Sequence, residues 1–456
     1  MRKLERRAWF CVIICLVFLL GIGYFLYCYV KDGSSWYLQK SNRHLYTSEG
    51  ELVSGTITDR NGTVLSEVTD GVRTYSEDKT LRTALLHVIG DREGKIGSSV
   101  LYNAADYFIS YDAVEGANAL SEEGNTLVLS LDAEAEKTAY EAMDGLVGTV
   151  GVYNYKTGEI LCLVSTPGYD PEAVPEDLET SETYSGAYVN RFLKSRFTPG
   201  STMKTVLLSA VLELYPELAE ETFTCNGSVT IGGNTMNCTK AHGTVTLKEA
   251  FAQSCNCVFG ELAVKVGGVK LQEYIRKAGL TSSVDVEGLT STEKGSFELV
   301  TISDFQLSYA GIGLYHDLVN PCTLMLYYGA IANGGTAALP TVISSVTSPG
   351  GSVLFTHTAE FTGQLVESET AALLTEYLEN NVRTVYDSSR FPSVTIGAKS
   401  GTVEQKTGLS NCWFCGYVRD ESYPYAFVVY LENAGSGNRV AGGVAAAVLN
   451  SLIPAD

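Results

Sequence analysis

Pro199-Gly200-Ser201-Thr202-Met203-Lys204 opens an apolar run, Val206-Leu207-Leu208 onward, and reads as the start of a helix. Positions three apart share one helix face, so the Ser201 hydroxyl and the Lys204 amine come within hydrogen-bond reach. A lysine packed among apolar groups loses its charge more readily and can take the serine proton, which activates a serine without histidine. The same Ser-x-x-Lys spelling occurs at Ser76–Lys79 and Ser291–Lys294. There the intervening acids, Glu77-Asp78 and Glu293, keep the lysine charged on a solvated face. The plainer reading of Ser201 is a helix N-cap.

Two more short motifs follow in order. Ser254-Cys255-Asn256 sits in a helix-like context, where a hydroxyl and an amide two apart can line a cleft wall if the backbone breaks. Lys399-Ser400-Gly401-Thr402 lies on a strand from Val394. Alternation puts Lys399 and Gly401 on one face and Ser400 and Thr402 on the other. The glycine admits close approach of another backbone, and a peptide can add along such an edge. Ser436-Gly437-Asn438, Lys156-Thr157-Gly158 and Lys406-Thr407-Gly408 repeat the spellings in loops and turns, and read as structural.

Around these motifs the pattern predicts one α+β domain. Strands at Val150–Tyr155 and Glu159–Val164 come early, and helices cover about 201–215, 246–264 and 268–278. Strands at Ser393–Val403, Cys412–Val418 and Tyr423–Leu431 come late, before a closing helix over 441–452. The two ends of this region are expected to meet in one sheet with helices on both faces.

At the start, Arg2, Lys3, Arg6 and Arg7 precede an uncharged apolar run from Ala8 to Val30, long enough to span a bilayer. The basic flank puts residues 1–7 in the cytoplasm and everything after the span outside. Four segments are expected: a 1–7 tail, an 8–30 anchor, a small 31–125 module and the 126–456 domain. The net charge of −20 argues against nucleic-acid binding. Of eleven cysteines, Cys225 and Cys238 flank a hairpin-like stretch, Gly227–Asn234, and read either as a disulfide or as two free thiols. Cys412 and Cys415 sit three apart on a strand and face opposite ways, which argues against a redox or zinc CxxC.

The order Ser-x-x-Lys, Ser-x-Asn, Lys-Ser-Gly is that of penicillin-binding proteins and class A β-lactamases. With Ser165-Thr166-Pro167-Gly168-Tyr169-Asp170-Pro171, Asn190-Arg191, His242-Gly243, Ala332-Asn333-Gly334-Gly335, Trp413-Phe414 and Glu432-Asn433, the chain from about Thr126 resembles the transpeptidase domain of class B penicillin-binding proteins. Gly55–Gly62 resembles the start of that family's N-terminal module. Departures are Ser54 for an arginine, Gly311-Ile312-Gly313 for Gly-Gln-Gly and Asn320-Pro321 for Thr-Pro.

The resemblance implies a serine β-lactamase-like fold, mostly antiparallel at its centre, on a small pedestal behind one transmembrane helix. It implies Ser201 as nucleophile, Lys204 as base, and Ser254 and Lys399 as proton carriers. Asn256 would hold the substrate amide. Ser400, Gly401 and Thr402 would bind the substrate, and the N–H groups of Ser201 and Thr402 would form the oxyanion hole. The implied partners are peptidoglycan stem peptides, β-lactams, and a SEDS-type glycan polymerase with other cell-wall synthesis proteins. No cofactor or metal is implied. A D,D-carboxypeptidase, a β-lactamase and a non-catalytic β-lactam-binding scaffold are the competing readings.

Overall fold

The computed structural model describes residues 2–37, 53–109, 111–112, 116–117, 124–406 and 408–454; Thr407 of the Lys406-Thr407-Gly408 repeat lies outside them. The apolar N-terminal run lies in a single helix, Arg2–Tyr37, of which Arg6–Gly33 is long and apolar enough to cross a membrane.

The central sheet has five antiparallel strands in the order Ile396–Glu404, Ser410–Val418, Tyr425–Leu431, Gly148–Asn154, Ile160–Thr166. The late and early strands join where Tyr425–Leu431 runs beside Gly148–Asn154, with Val428 opposite Gly151. Because both faces are covered, these strands read as nearly unbroken apolar runs rather than alternating ones. Alternation still sorts the side chains. Trp413, Cys415 and Tyr417 enter one core with Tyr327, Tyr328 and Leu207, from the helices Pro321–Ala332 and Lys204–Leu214. Cys412, Phe414 and Val418 enter the other, with Ala139 and Met143 of the helix Ala133–Met143 and Val444 and Leu449 of the helix Gly442–Leu452. Cys412 and Cys415 thus occupy opposite faces.

A second sheet of six strands was not anticipated. Its order is Val353–Thr356, Ile343–Thr347, Thr126–Leu129, Thr56–Thr58, Val64–Thr69, Val72–Tyr75. Thr126–Leu129 runs parallel to Thr56–Thr58 and antiparallel to Ile343–Thr347. This sheet takes strands from both sides of the line between 125 and 126.

The Ser228–Ile231 and Asn234–Asn237 strands form the expected hairpin, turning at Gly232-Gly233. Cys225 and Cys238 are both free, the second of the two alternatives. The hairpin ends at the pair Ser228–Asn237, and Cys225 sits outside it, opposite Gly243 on a different ladder.

Candidate active site

The turn carrying Ser201 is a 3-10 turn, Gly200–Met203, leading directly into the helix Lys204–Leu214. Its position is set from three sides. The Trp413 indole donates to Thr198 O at 2.9 Å, and the Phe197 ring stacks on Tyr430 with centroids 3.8 Å apart. The Gly200 N–H donates to Gly313 O at 2.9 Å. Gly313 has φ +71°, and a Cβ there would lie 2.3 Å from Gly200 O. The expected close approach at Gly401 is made to the protein's own chain: a Cβ would stand 3.0 Å from Pro199 O and 3.2 Å from the Thr202 methyl. The strand Ile396–Glu404, at the sheet edge, is thereby pressed against the Ser201 turn.

The stretch read as one helix over 246–264 is two. Leu247–Ala252 starts on a Thr246–Glu249 capping box, and Asn256–Val266 restarts after a break. Ser254 sits at that break with φ +54°, a left-handed conformation that an L-residue adopts only at a cost. The break turns both the carbonyl and the hydroxyl of Ser254 toward Lys204.

Lys204 Nζ lies 3.2 Å from Ser201 Oγ, 3.0 Å from Ser254 Oγ, 2.7 Å from Ser254 O and 2.8 Å from Asn256 Oδ1. Lys399 Nζ lies 3.1 Å from Ser254 Oγ and 3.1 Å from Ser400 O. The structure thus brings Ser201, Lys204, Ser254, Asn256 and Lys399 into one hydrogen-bonded chain. Both lysines are fully buried, with the Phe259 and Phe251 rings 5.8 Å from the respective Nζ atoms. Burial, and then the like charge of Lys399, pull Lys204 well below the ordinary lysine range. Burial brings Lys399 down to about 7.

Beside this chain runs a groove of about 900 Å³, lined among others by His242, Ser254, Tyr386, Ser400 and Asn438. Ser400 meets a residue that no motif marked. Its N–H donates to Tyr386 Oη at 3.0 Å, and the two hydroxyls are also 3.0 Å apart. Thr402 is exposed, and its Oγ1 accepts from Gly437 N–H at 3.3 Å. The Ser436-Gly437-Asn438 spelling, set aside as a loop, closes the groove's end, with Arg390 donating to Asn438 O at 2.7 Å. Tyr386 and Arg390 carry no short spelling, and only a long-range contact places them here.

The other repeats are structural. Asp78 N–H donates to Ser76 Oγ at 3.3 Å, and the Ser291 hydroxyl donates to Asp285. Lys156 and Thr157 form a turn whose N–H groups donate to Asn154 Oδ1 at 2.9 and 3.1 Å.

Residues 148–453 match the penicillin binding protein transpeptidase domain. The chain is 26% identical over 349 residues to the peptidoglycan D,D-transpeptidase PbpA of Mycolicibacterium smegmatis, covering 71% of this chain and 70% of that one. It is 26% identical to the stage V sporulation protein D of Bacillus subtilis, over 68% of this chain and 48% of that protein. In fold it is similar to penicillin-binding protein A of M. tuberculosis in a ceftriaxone acyl-enzyme complex. There the TM-score is 0.75 at 22% identity, covering 91% of this chain and 100% of that one. A family match spanning more than half of the chain makes this chain a member of the penicillin-binding protein transpeptidase family.

Proposed function

We propose that this chain cross-links peptidoglycan as a serine D,D-transpeptidase and that β-lactams inhibit it by acylating Ser201. One observation carries the reading. A neutral amine has two hydrogens and one lone pair. Two neighbours of Lys204 Nζ, Ser254 O and Asn256 Oδ1, only accept at those atoms, so they take the two hydrogens. The lone pair is left facing two hydroxyls, Ser201 at 3.2 Å and Ser254 at 3.0 Å, and it goes to Ser201 when substrate is attacked.

In acylation Ser201 Oγ attacks the penultimate D-Ala carbonyl of a stem peptide while its proton passes to Lys204. The C–N bond then breaks. The terminal D-Ala leaves as an amine, with its proton delivered through Ser254, which stands between the two lysines. An amine of a second stem peptide attacks the ester, gives up a proton along the same chain, and Ser201 is regenerated. The N–H groups of Ser201 and Thr402 stabilise the oxyanion, and losing one such donor costs about 10²–10³ in rate. Asn256 orients the donor amide. Lys399, Ser400 and Thr402 bind its terminal carboxylate, and Gly401 keeps their strand against the turn.

The reading extends to the cell surface. The Arg6–Gly33 helix crosses the cell membrane with the basic end inside, and residues 31–125 form a pedestal below the catalytic domain at 126–456. A SEDS-type polymerase in the same membrane supplies the glycan.

Labelled penicillin added to the full chain is expected to form a covalent adduct on the peptide containing Ser201. Lys204→Ala reduces labelling by about 10²-fold or more. Supplied with a D-Ala-D-Ala donor and an amine acceptor, the enzyme yields the cross-linked product in preference to the hydrolysed one. An unlabelled wild-type protein, or an adduct on another residue, sinks the assignment. Hydrolysis alone turns the reading into a carboxypeptidase or β-lactamase.

A further inference from the structure

Three cysteines and a histidine converge next to the Ser254 break, from four separate places in the chain. Cys225 ends the strand Thr222–Cys225. Cys238 follows the hairpin strand Asn234–Asn237. His242 lies in the loop before Gly243–Thr246, and Cys255 caps the helix Asn256–Val266. One potential ligand atom from each lies within 4.8 Å of all the others.

The distances separate two chemistries. Cys238 Sγ is 3.8 Å from Cys255 Sγ and 3.6 Å from His242 Nδ1. A disulfide needs sulfurs about 2.05 Å apart. A tetrahedral zinc ion with Zn–S near 2.3 Å and Zn–N near 2.0–2.1 Å has S–S edges of roughly 3.8 Å and S–N edges of roughly 3.5 Å. The Cys238–Cys255 and Cys238–His242 separations match two edges of such a tetrahedron, and the other pairs lie within 4.8 Å.

We propose that Cys225, Cys238, His242 and Cys255 bind one zinc ion in a closed tetrahedral site beside the groove. Three thiolates and an imidazole form a soft donor set that suits zinc rather than magnesium or calcium. Four protein ligands leave no open position, so the ion is structural. The backbone is arranged for it. Asn256 N–H donates to Cys238 Sγ at 3.2 Å, as amides do to metal-bound thiolates. Cys238 N–H donates to Gly227 O at 2.9 Å and His242 N–H to Cys225 O at 3.0 Å, which fixes the loop between the ligands. His242 Nε2 is buried without a hydrogen-bond partner, so among the described residues only the cluster orients the ring.

The sequence reading assigned no metal, yet Cys238-x-x-x-His242 is a short-loop ligand spacing that the hairpin reading passed over. The inference is independent of the reaction proposed for Ser201, because metal content is read without activity.

The full chain, purified in detergent with a reductant and no chelator, is expected to contain one zinc per molecule by elemental analysis. Exchange with Co²⁺ gives thiolate-to-cobalt charge-transfer absorption and the visible bands of a tetrahedral ion. Cys238→Ser and His242→Ala lose most of the metal. Cys322→Ser, at a buried thiol in the helix Pro321–Ala332, retains it. Because a ligand variant can fail to fold, the wild-type protein is also titrated with a mercurial in the presence of a zinc-binding dye, and zinc appears in step with thiol loss. Folded wild-type protein that stays metal-free after incubation with zinc overturns the site. So does full retention in both ligand variants, or an intact mass showing cluster cysteines already bridged under the reductant.

Discussion

In the proposed reaction Lys204 is the base, which requires a neutral amine at neutral pH. Burial removes water that would solvate the ammonium, and Lys399 adds a like charge, and both pull Lys204 down toward the neutral form. In the unfolded chain both lysines are protonated up to about pH 10.4. Between about 7, the folded value of Lys399, and that limit, the unfolded state binds more protons, so stability rises with pH. The rate of Ser201 acylation by penicillin is therefore expected not to rise from pH 7 to pH 9, and a fall over that range follows Lys399 as it loses the charge proposed to bind the carboxylate. A rate climbing about tenfold per pH unit over that range would show a base titrating near 10.4 and would refute the neutral amine. Ser201, Lys204, Ser254, Asn256 and Lys399 were legible because each sits in a short spelling whose local geometry brings reactive groups to one side. Tyr386 was not. Its hydroxyl reaches Ser400 from the far end of the helix Ser368–Thr384, and tyrosine beyond a helix end has no periodic signature.

At the scale of elements, the groove is made by two irregularities that ordinary helix and strand patterns do not predict. One is the glycine contact behind the nucleophile turn. Gly313→Ala places a Cβ 2.3 Å from Gly200 O at a positive φ. The turn must move or the contact strains, costing about 1–3 kcal/mol. A lower melting temperature and slower acylation are expected together. Wild-type acylation in the variant would mean that Gly313 does not set the position of Ser201. The other irregularity is the break at Ser254. A stretch with no proline or glycine between Leu247 and Phe259 reads as a continuous helix, and at the break the Ser254 carbonyl bonds Lys204 while Asn256 N–H donates to Cys238 Sγ. Cys255 stands between the two side chains that bond Lys204. Removing the proposed zinc under reducing conditions is accordingly expected to slow Ser201 acylation by about 10–100-fold, and restoring zinc to reverse it. Metal-free protein that is acylated at the original rate would uncouple the cluster from the groove.

Across the whole molecule, the central sheet was legible and the six-stranded one was not, for a physical reason. Strands buried on both faces give long apolar runs such as Ile160–Thr166. Ile343–Thr347 is half-polar and finds its partner Thr126–Leu129 far back in the chain, so nothing local announces it. The helix Ala133–Met143 ties these parts together and carries a buried acid, Glu136. Its Oε1 accepts from Leu163 N–H of the central sheet at 2.6 Å, and its Oε2 has no hydrogen-bond partner among the described residues. Burial pushes this carboxyl up to about 8, so it is neutral in the folded protein at pH 7. In the unfolded chain it ionises near 4.3. Folding then takes up a proton between those values. The folded state binds more protons, and stability falls as pH rises through the window. Glu136→Gln keeps an acceptor for Leu163 N–H and has no charge to suppress. Wild type and variant are expected to lie closest in melting temperature below the unfolded value of about 4.3, with the variant increasingly ahead from there toward pH 8. His87, which burial lowers to about 4, acts in the opposite direction but equally in both proteins, so the difference between them isolates Glu136. A gap that does not change with pH, or a variant less stable at pH 8, would show that the carboxylate is charged and satisfied inside the fold.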